Sequence, residues 1–254
     1  MAILVDSRIH PSRYPPGEGE RLRGRILYGM HLITLSFDDG YIQSSLRIAA
    51  IFEQYGLSAC FNVVADPTTR LDQWYSGSGS GIGDFPLWNE LQARGHEIMP
   101  HGLHHEDYTQ MTLADAQASI RRCLATFAEK LAGFDVRRAV FNFPYNASTP
   151  ELETWLPSVV RAFRTAGDGI NPLPHPALTR LTCTAFGPGN CEAHLDAWIN
   201  KLLARPEGWL IYNTHALDEE GWGPLSTAYL ERLLPRLLAI PSVRIVPAGK
   251  ALAG

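Results

Sequence analysis

Strand-like and helix-like segments alternate along most of this chain, and that alternation restricts the fold more than any other property. Apolar, β-branched runs at 31–37, 57–64, 138–143, 178–185, 209–214 and 243–246 read as strands, with a shorter strand-like run at 96–100. Residues 42–55, 112–131, 151–163, 192–203 and 227–238 carry helical periodicity, and a further helix begins near Pro86. The helix ends agree with this: Gly56 suits the position just past a helix C-terminus, and Thr112-Leu113-Ala114-Asp115 is a capping-box pattern. Such alternation implies right-handed βαβ units and a parallel sheet, one that can close into a barrel.

A chain of 254 residues with 45% hydrophobic content builds one barrel-sized core, so a single α/β domain is expected over 26–254. Residues 1–25, with three prolines and several charges, read as an arm outside that core. Ser76-Gly77-Ser78-Gly79-Ser80-Gly81 reads as a flexible loop before the helix near Pro86. A net charge of −4 argues against nucleic-acid and anionic-membrane partners. No apolar run approaches the ~18 residues needed to span a bilayer. The first residues lack the basic start, apolar centre and small-residue cleavage site of a signal peptide, so a cytoplasmic location is expected. The four cysteines (Cys60, Cys123, Cys183, Cys191) form no CxxC pair, and Cys60 and Cys183 read as buried thiols.

Two polar constellations interrupt the apolar pattern where strands end. In Ser36-Phe37-Asp38-Asp39-Gly40, a strand runs directly into adjacent carboxylates, and Gly40 can take the positive φ of a sharp exit. The C-terminal ends of parallel strands are where such folds place their chemistry. Neighbouring carboxylates there resist ionising together unless a cation or a division of roles separates them. Successive strand residues point to opposite sides, so only one of the two is expected to face a metal squarely. The second constellation is His101-Gly102-Leu103-His104-His105. Its outer histidines are four apart, a spacing that stacks two imidazoles on one side of a helical turn. Imidazoles with a carboxylate are the usual ligand set for zinc and similar divalent ions. His104, between them, is expected to point elsewhere.

At these residues the chain resembles the polysaccharide deacetylases, the group sharing the NodB homology domain (carbohydrate esterase family 4). Ser36–Gly40 looks like the family's first motif, and Gly95-His96-Glu97-Ile98 followed by His101 and His105 is similar to its second. Phe141-Asn142-Phe143-Pro144-Tyr145 resembles the third, and Trp209-Leu210-Ile211-Tyr212-Asn213-Thr214-His215 the last. The order matches, and the resemblance spans roughly residues 31–250. Two positions depart from the pattern. The third motif usually carries an arginine paired with the first aspartate, and the aligned position here is Asn142. The Asp–Trp pair of the fourth motif has no clear counterpart, Asp168 being a poor match.

The resemblance implies an incomplete (β/α)7 barrel with parallel strands. It also implies one divalent metal on Asp39, His101 and His105, zinc by default, with cobalt, nickel or manganese suited to the same ligands. Asp38 would be the general base, His215 the general acid, and the backbone N–H of Tyr145 an oxyanion donor. With Asn142 lacking the arginine's charge, Asp38 needs another partner, and Arg164 is a candidate by residue type. Asn142 and Pro144 are read as substrate contacts. Trp222, in Gly221-Trp222-Gly223 after His215, is read as an exposed ring for stacking on sugars; Trp88 and Trp209 are more simply core. The expected substrate is an N- or O-acetylated carbohydrate. The alternatives are a C–N hydrolase of the same fold acting on a cyclic amide or other small molecule, or a catalytically silent carbohydrate-binding protein.

Overall fold

The structure, a computed structural model, describes residues 29–67 and 81–253. The arm expected at 1–25 and residues 76–80 of the Gly/Ser loop lie outside the described residues.

Strand β1 (His31–Asp39) is the centre of the fold, and all nine of its residues are buried. Its burial follows from having neighbours along both edges. On one side β8 (Gly208–Thr214) runs parallel to it from His31 to Phe37. The other edge is shared: β9 (Val243–Ile245) pairs with His31–Ile33, and β2 (Cys60–Val63) with Ser36–Asp39. Beyond β2 lies β3 (Glu97–Pro100). A second parallel sheet contains β4 (Val140–Asn142), β5 (Ala162–Ala166) and β7 (Arg180–Cys183), and a bridge from Thr184 to Tyr212 joins it to β8.

Seven parallel strands therefore form the ring β1-β2-β3-β4-β5-β7-β8, the incomplete barrel expected. Its seam lies between β3 and β4, where no backbone ladder forms among the described residues. Side chains stitch it instead: Asn142 Nδ2 donates to the Pro100 carbonyl (3.4 Å), and Val140 N–H to Met99 Sδ (3.4 Å). One short strand breaks the parallel rule, β6 (Ile170–Asn171), which is antiparallel to β8. Helices α1 (Ile42–Glu53), α2 (Phe85–Ala93), α3 (Leu113–Lys130), α4 (Pro150–Trp155), α5 (Cys191–Leu203) and α6 (Thr227–Leu238) connect the strands, and α7 (Ala248–Leu252) follows β9. Thr112 caps α3 as its sequence suggests, accepting from Asp115 N–H.

The helix read over 151–163 is corrected. It stops at Trp155, passes through a 3-10 turn (Leu156–Ser158) and gives way to β5. Pro157 cannot donate to a helical ladder, and the β-branched and aromatic residues beyond it favour a strand. This correction matters because β5 carries Arg164.

Strand alternation sorts the core. On β1, Ile33, Leu35 and Phe37 pack outward in the layer beneath the helices. Inside the barrel, Leu32, Val140, Ala162, Leu181, Trp209 and Ile211 form an apolar base, closed by Ala248 and Leu252 of α7. Higher on the same inward rows come Ser36, Asp38, Asn62, Asn142 and Arg164, all buried. The barrel is thus apolar at its N-terminal end and polar where its strands finish.

Candidate active site

The exit from β1 forms one wall of the site. Asp39 has φ +79° and Gly40 φ +89°, so the chain leaves strand geometry at the second carboxylate. A side chain at Gly40 would also bring its Cβ within 2.7 Å of the Trp88 ring. Gly40→Ala is expected to cost about 1–3 kcal/mol, seen as a lowered Tm; an unchanged Tm would contradict this account of the turn.

That backbone twist overturns the expectation that only one aspartate faces the site. Asp38 Oδ2 and Asp39 Oδ1 both lie 3.6 Å from His101 Nε2. What separates the two carboxylates is their other partners. Asp38 receives Arg164 Nη1 on Oδ1 (2.9 Å) and Arg164 Nη2 on Oδ2 (2.5 Å), and Asn62 Nδ2 also donates to Oδ1 (2.7 Å). Burial alone would raise the Asp38 pKa, but the Arg164 guanidinium, with His101, overrides it and holds the carboxyl below its ordinary value. Asp39 Oδ1 lies 3.3 Å from His105 Nε2.

The histidine pair comes together by a different route from the helical turn expected. His101 follows β3, Gly102 has φ +85° and His105 φ +61°, so a tight non-helical loop brings the rings to 5.1 Å. His101 Nδ1 bonds the Asn142 carbonyl (2.9 Å), which fixes the tautomer and leaves the Nε2 lone pair for the cavity. Burial pushes the His101 pKa down to about 4, so the ring is neutral at pH 7. One donor atom each from Asp39, His101 and His105 lies within 4.8 Å of the others. A buried imidazole pair beside a carboxylate fits a divalent metal by donor type and spacing. His104 turns away, its Nδ1 on the Asp66 carbonyl (3.0 Å).

A cavity of about 270 Å³ joins these groups to Tyr41, Tyr145, Asn146, Ala185, Asn213, His215 and Trp222. Tyr145 is 55% exposed and its ring sits 4.6 Å from that of His105. Asp39, His105, Tyr145 and Asn146 all have positive φ without being glycine, and all line this cavity. Strained backbone concentrated around one cavity marks a site whose geometry the fold over-determines.

His215 follows β8 directly, on the same inward row as Asn213. Its ring meets that of Trp222 edge-on at 5.6 Å, and its buried Nδ1 has no hydrogen-bond partner among the described residues. Trp222 is half-buried where exposure was expected. Its loop is pinned by Thr214 Oγ1 to the Gly223 carbonyl (3.0 Å) and by Leu217 N–H to Ser44 Oγ (2.9 Å). Asp168 is exposed and is not among the residues lining the cavity.

Two expected substrate contacts do not reach the cavity. Asn142 is buried, its amide donating to the Val140 and Pro100 carbonyls, and Pro144 is buried beneath Gly102. Both act from behind the wall. In their place the cavity presents Asn146 and Asn213, linked Nδ2 to Oδ1 at 3.1 Å. Sequence reading passed over both, although Asn213 sits two residues before His215 and so shares its face. Asn62 was missed as well; an amide between Phe61 and Val63 in an apolar strand was the available signal. Trp88 and Trp209 are fully buried core residues, and all four cysteines are buried and free.

Comparison with known proteins gives this arrangement a family. The polysaccharide deacetylase profile matches residues 29–156, half of the 254-residue chain, and the chain belongs to that family. Three solved structures share its fold. A family 4 acetyl xylan esterase from Clostridium thermocellum, in complex with a cobalt ion, is 20% identical over 87% of this chain and 90% of its own (TM-score 0.57). Peptidoglycan deacetylase PdaC from Bacillus subtilis is 14% identical over 87% and 90% (TM-score 0.55). The Xyl-CE4 domain of a multidomain xylanase from the hindgut metagenome of Trinervitermes trinervoides is 16% identical over 88% and 90% (TM-score 0.55). No curated protein matches the chain.

Proposed function

We propose that this chain is a metal-dependent hydrolase that removes an acetyl group from an N- or O-acetylated carbohydrate. The observation that carries this reading is the convergence of the Asp39, His101 and His105 donor atoms within 4.8 Å, in a cavity also lined by Asp38 and His215. Structural relatives that act as an acetyl xylan esterase and as a peptidoglycan deacetylase support the substrate class.

A divalent metal on those three residues, zinc by default, would polarise the acyl carbonyl and acidify a water. Asp38, already ionised and aimed inward, takes a proton from the attacking water as its oxygen bonds to the acyl carbon. The backbone N–H of Tyr145 donates to the oxyanion that develops. His215 gives a proton to the departing nitrogen or oxygen, the C–N or C–O bond breaks, and acetate and the free amine or alcohol result. Trp222 flanks the leaving sugar.

The test has two parts. Metal analysis of the purified protein should find about one divalent ion per chain, and His101→Ala should lose most of it, by about 10- to 100-fold in affinity or more. Equal, near-zero metal in both proteins after incubation with excess zinc would overturn the reading. The loaded enzyme should then release acetate from a panel of acetylated sugars. Turnover of a cyclic amide alone would favour the C–N hydrolase alternative.

A further inference from the structure

We infer that Arg164 and Asn62 are the positioning residues for Asp38, and that Arg164 does from β5 what the family pattern expects of position 142 on β4. The inference rests on the proposed role of Asp38 as base. Asn142 and Arg164 are register partners on neighbouring parallel strands, so both side chains leave the sheet on its inner face. These neighbouring strands lie about 4.8 Å apart, so an arginine on either one projects into the same part of the barrel interior. Asn142 is too short to reach across and is occupied with the β3–β4 seam through Pro100 and Val140.

The clamp has two jaws. From β5, the Arg164 guanidinium engages both oxygens of Asp38 and also donates to Ser36 Oγ (2.7 Å). From β2, Asn62 is the register partner of Asp38, and its Nδ2 donates to Oδ1 and to Ser36 Oγ (2.6 Å). Ser36 thus ties the jaws together. Oδ1 carries two donors, whereas Oδ2 carries one and faces His101 across 3.6 Å. The arrangement selects which oxygen Asp38 turns toward the cavity, and it keeps Asp38 from acting as a principal metal ligand. Two-point contact gives orientation that a lysine ammonium at the same place would lack.

The experiment exchanges the two register partners in the full, metal-loaded chain. Arg164→Asn should lower kcat for acetyl hydrolysis by about 10²-fold or more, the scale of a misplaced reacting group, with KM within about threefold and bound metal unchanged. The swap Asn142→Arg/Arg164→Asn should recover at least about tenfold of that loss, and Asn62→Leu alone should lose about tenfold in kcat. Wild-type kcat in Arg164→Asn, or a folded swap with no recovery, would overturn the inference. If Arg164→Asn does not fold, Arg164→Lys decides: it keeps the charge but not the two-point contact, and a wild-type kcat there also overturns it. Crystal structures give a readout free of activity. Asp38 should rotate away from its wild-type orientation in Arg164→Lys and return to it in the swap; an unmoved Asp38 in Arg164→Lys counts against the inference. A wild-type enzyme inert on every acetylated sugar would instead count against the proposed function, leaving those structures to decide the positioning.

Discussion

Asp38→Asn is expected to lower turnover by about 10²–10⁴-fold while the bound metal stays close to one per chain. The amide has nearly the shape of the carboxylate but accepts no proton from water. The proposed metal ligands Asp39, His101 and His105 are untouched, so that set survives. The substitution also strips Arg164 of its counter-charge in a buried site, and losing one partner of such a pair costs about 3–5 kcal/mol. Stability therefore falls together with activity, and the two must be measured separately. Their pH dependence distinguishes them from a general loss of packing. The folded pKa of Asp38 lies below its ordinary value of 3.8. Its stabilising contribution is therefore complete above that value and disappears as pH falls through the lower folded pKa. The Tm gap between wild type and Asp38→Asn should be widest near neutral pH and narrow below about pH 4. Full turnover in Asp38→Asn would remove Asp38 as the base.

Why the sequence announced some of these residues and concealed others comes down to distance along the chain. Asp38, Asp39 and His101 were legible because they stand where an apolar run stops, and His105 because it lies four residues from His101. Polar side chains at such positions have no local packing reason to be there. The barrel was legible for a similar reason, since periods of 2 and 3.6 alternate over most of its length. The partners of Asp38 belong to another level. Arg164 lies 126 residues away from it, and Asn62 24 residues away. Both meet Asp38 only because strands take a particular register, which no local pattern encodes. Reading residues 151–163 as one helix concealed Arg164 further, by removing the strand that carries it. Backbone conformation was the other blind spot. The spacing of His101 and His105 suggested a helical turn, whereas positive φ at Gly102 and His105 achieves the same convergence in a loop. Asp39 shows this most clearly. Its φ of +79° defeats the alternation that would have sent the two carboxylates to opposite sides.

His215→Ala carries the other large expected effect, and its size should depend on the leaving group. A general acid, the role proposed for His215, matters most when the departing atom is a poor leaving group, so its loss should cost about 10²–10⁴-fold on an N-acetyl sugar. An activated aryl acetate leaves without protonation, and there the loss should be small. Bound metal should be retained in both cases, because the ring is outside the proposed ligand set. The surroundings of His215 sharpen this expectation. Its Nδ1 meets no hydrogen-bond partner among the described residues, and its ring meets that of Trp222 edge-on. Trp222→Ala should consequently do two things: weaken binding of a sugar substrate, and lower turnover of the N-acetyl sugar more than that of the aryl ester. Trp222→Phe, which keeps an aromatic ring beside the imidazole, should restore most of the turnover. Equal losses on amide and aryl ester in His215→Ala would mean that His215 holds substrate rather than donating a proton. The departing atom would then take its proton from another group lining the same cavity.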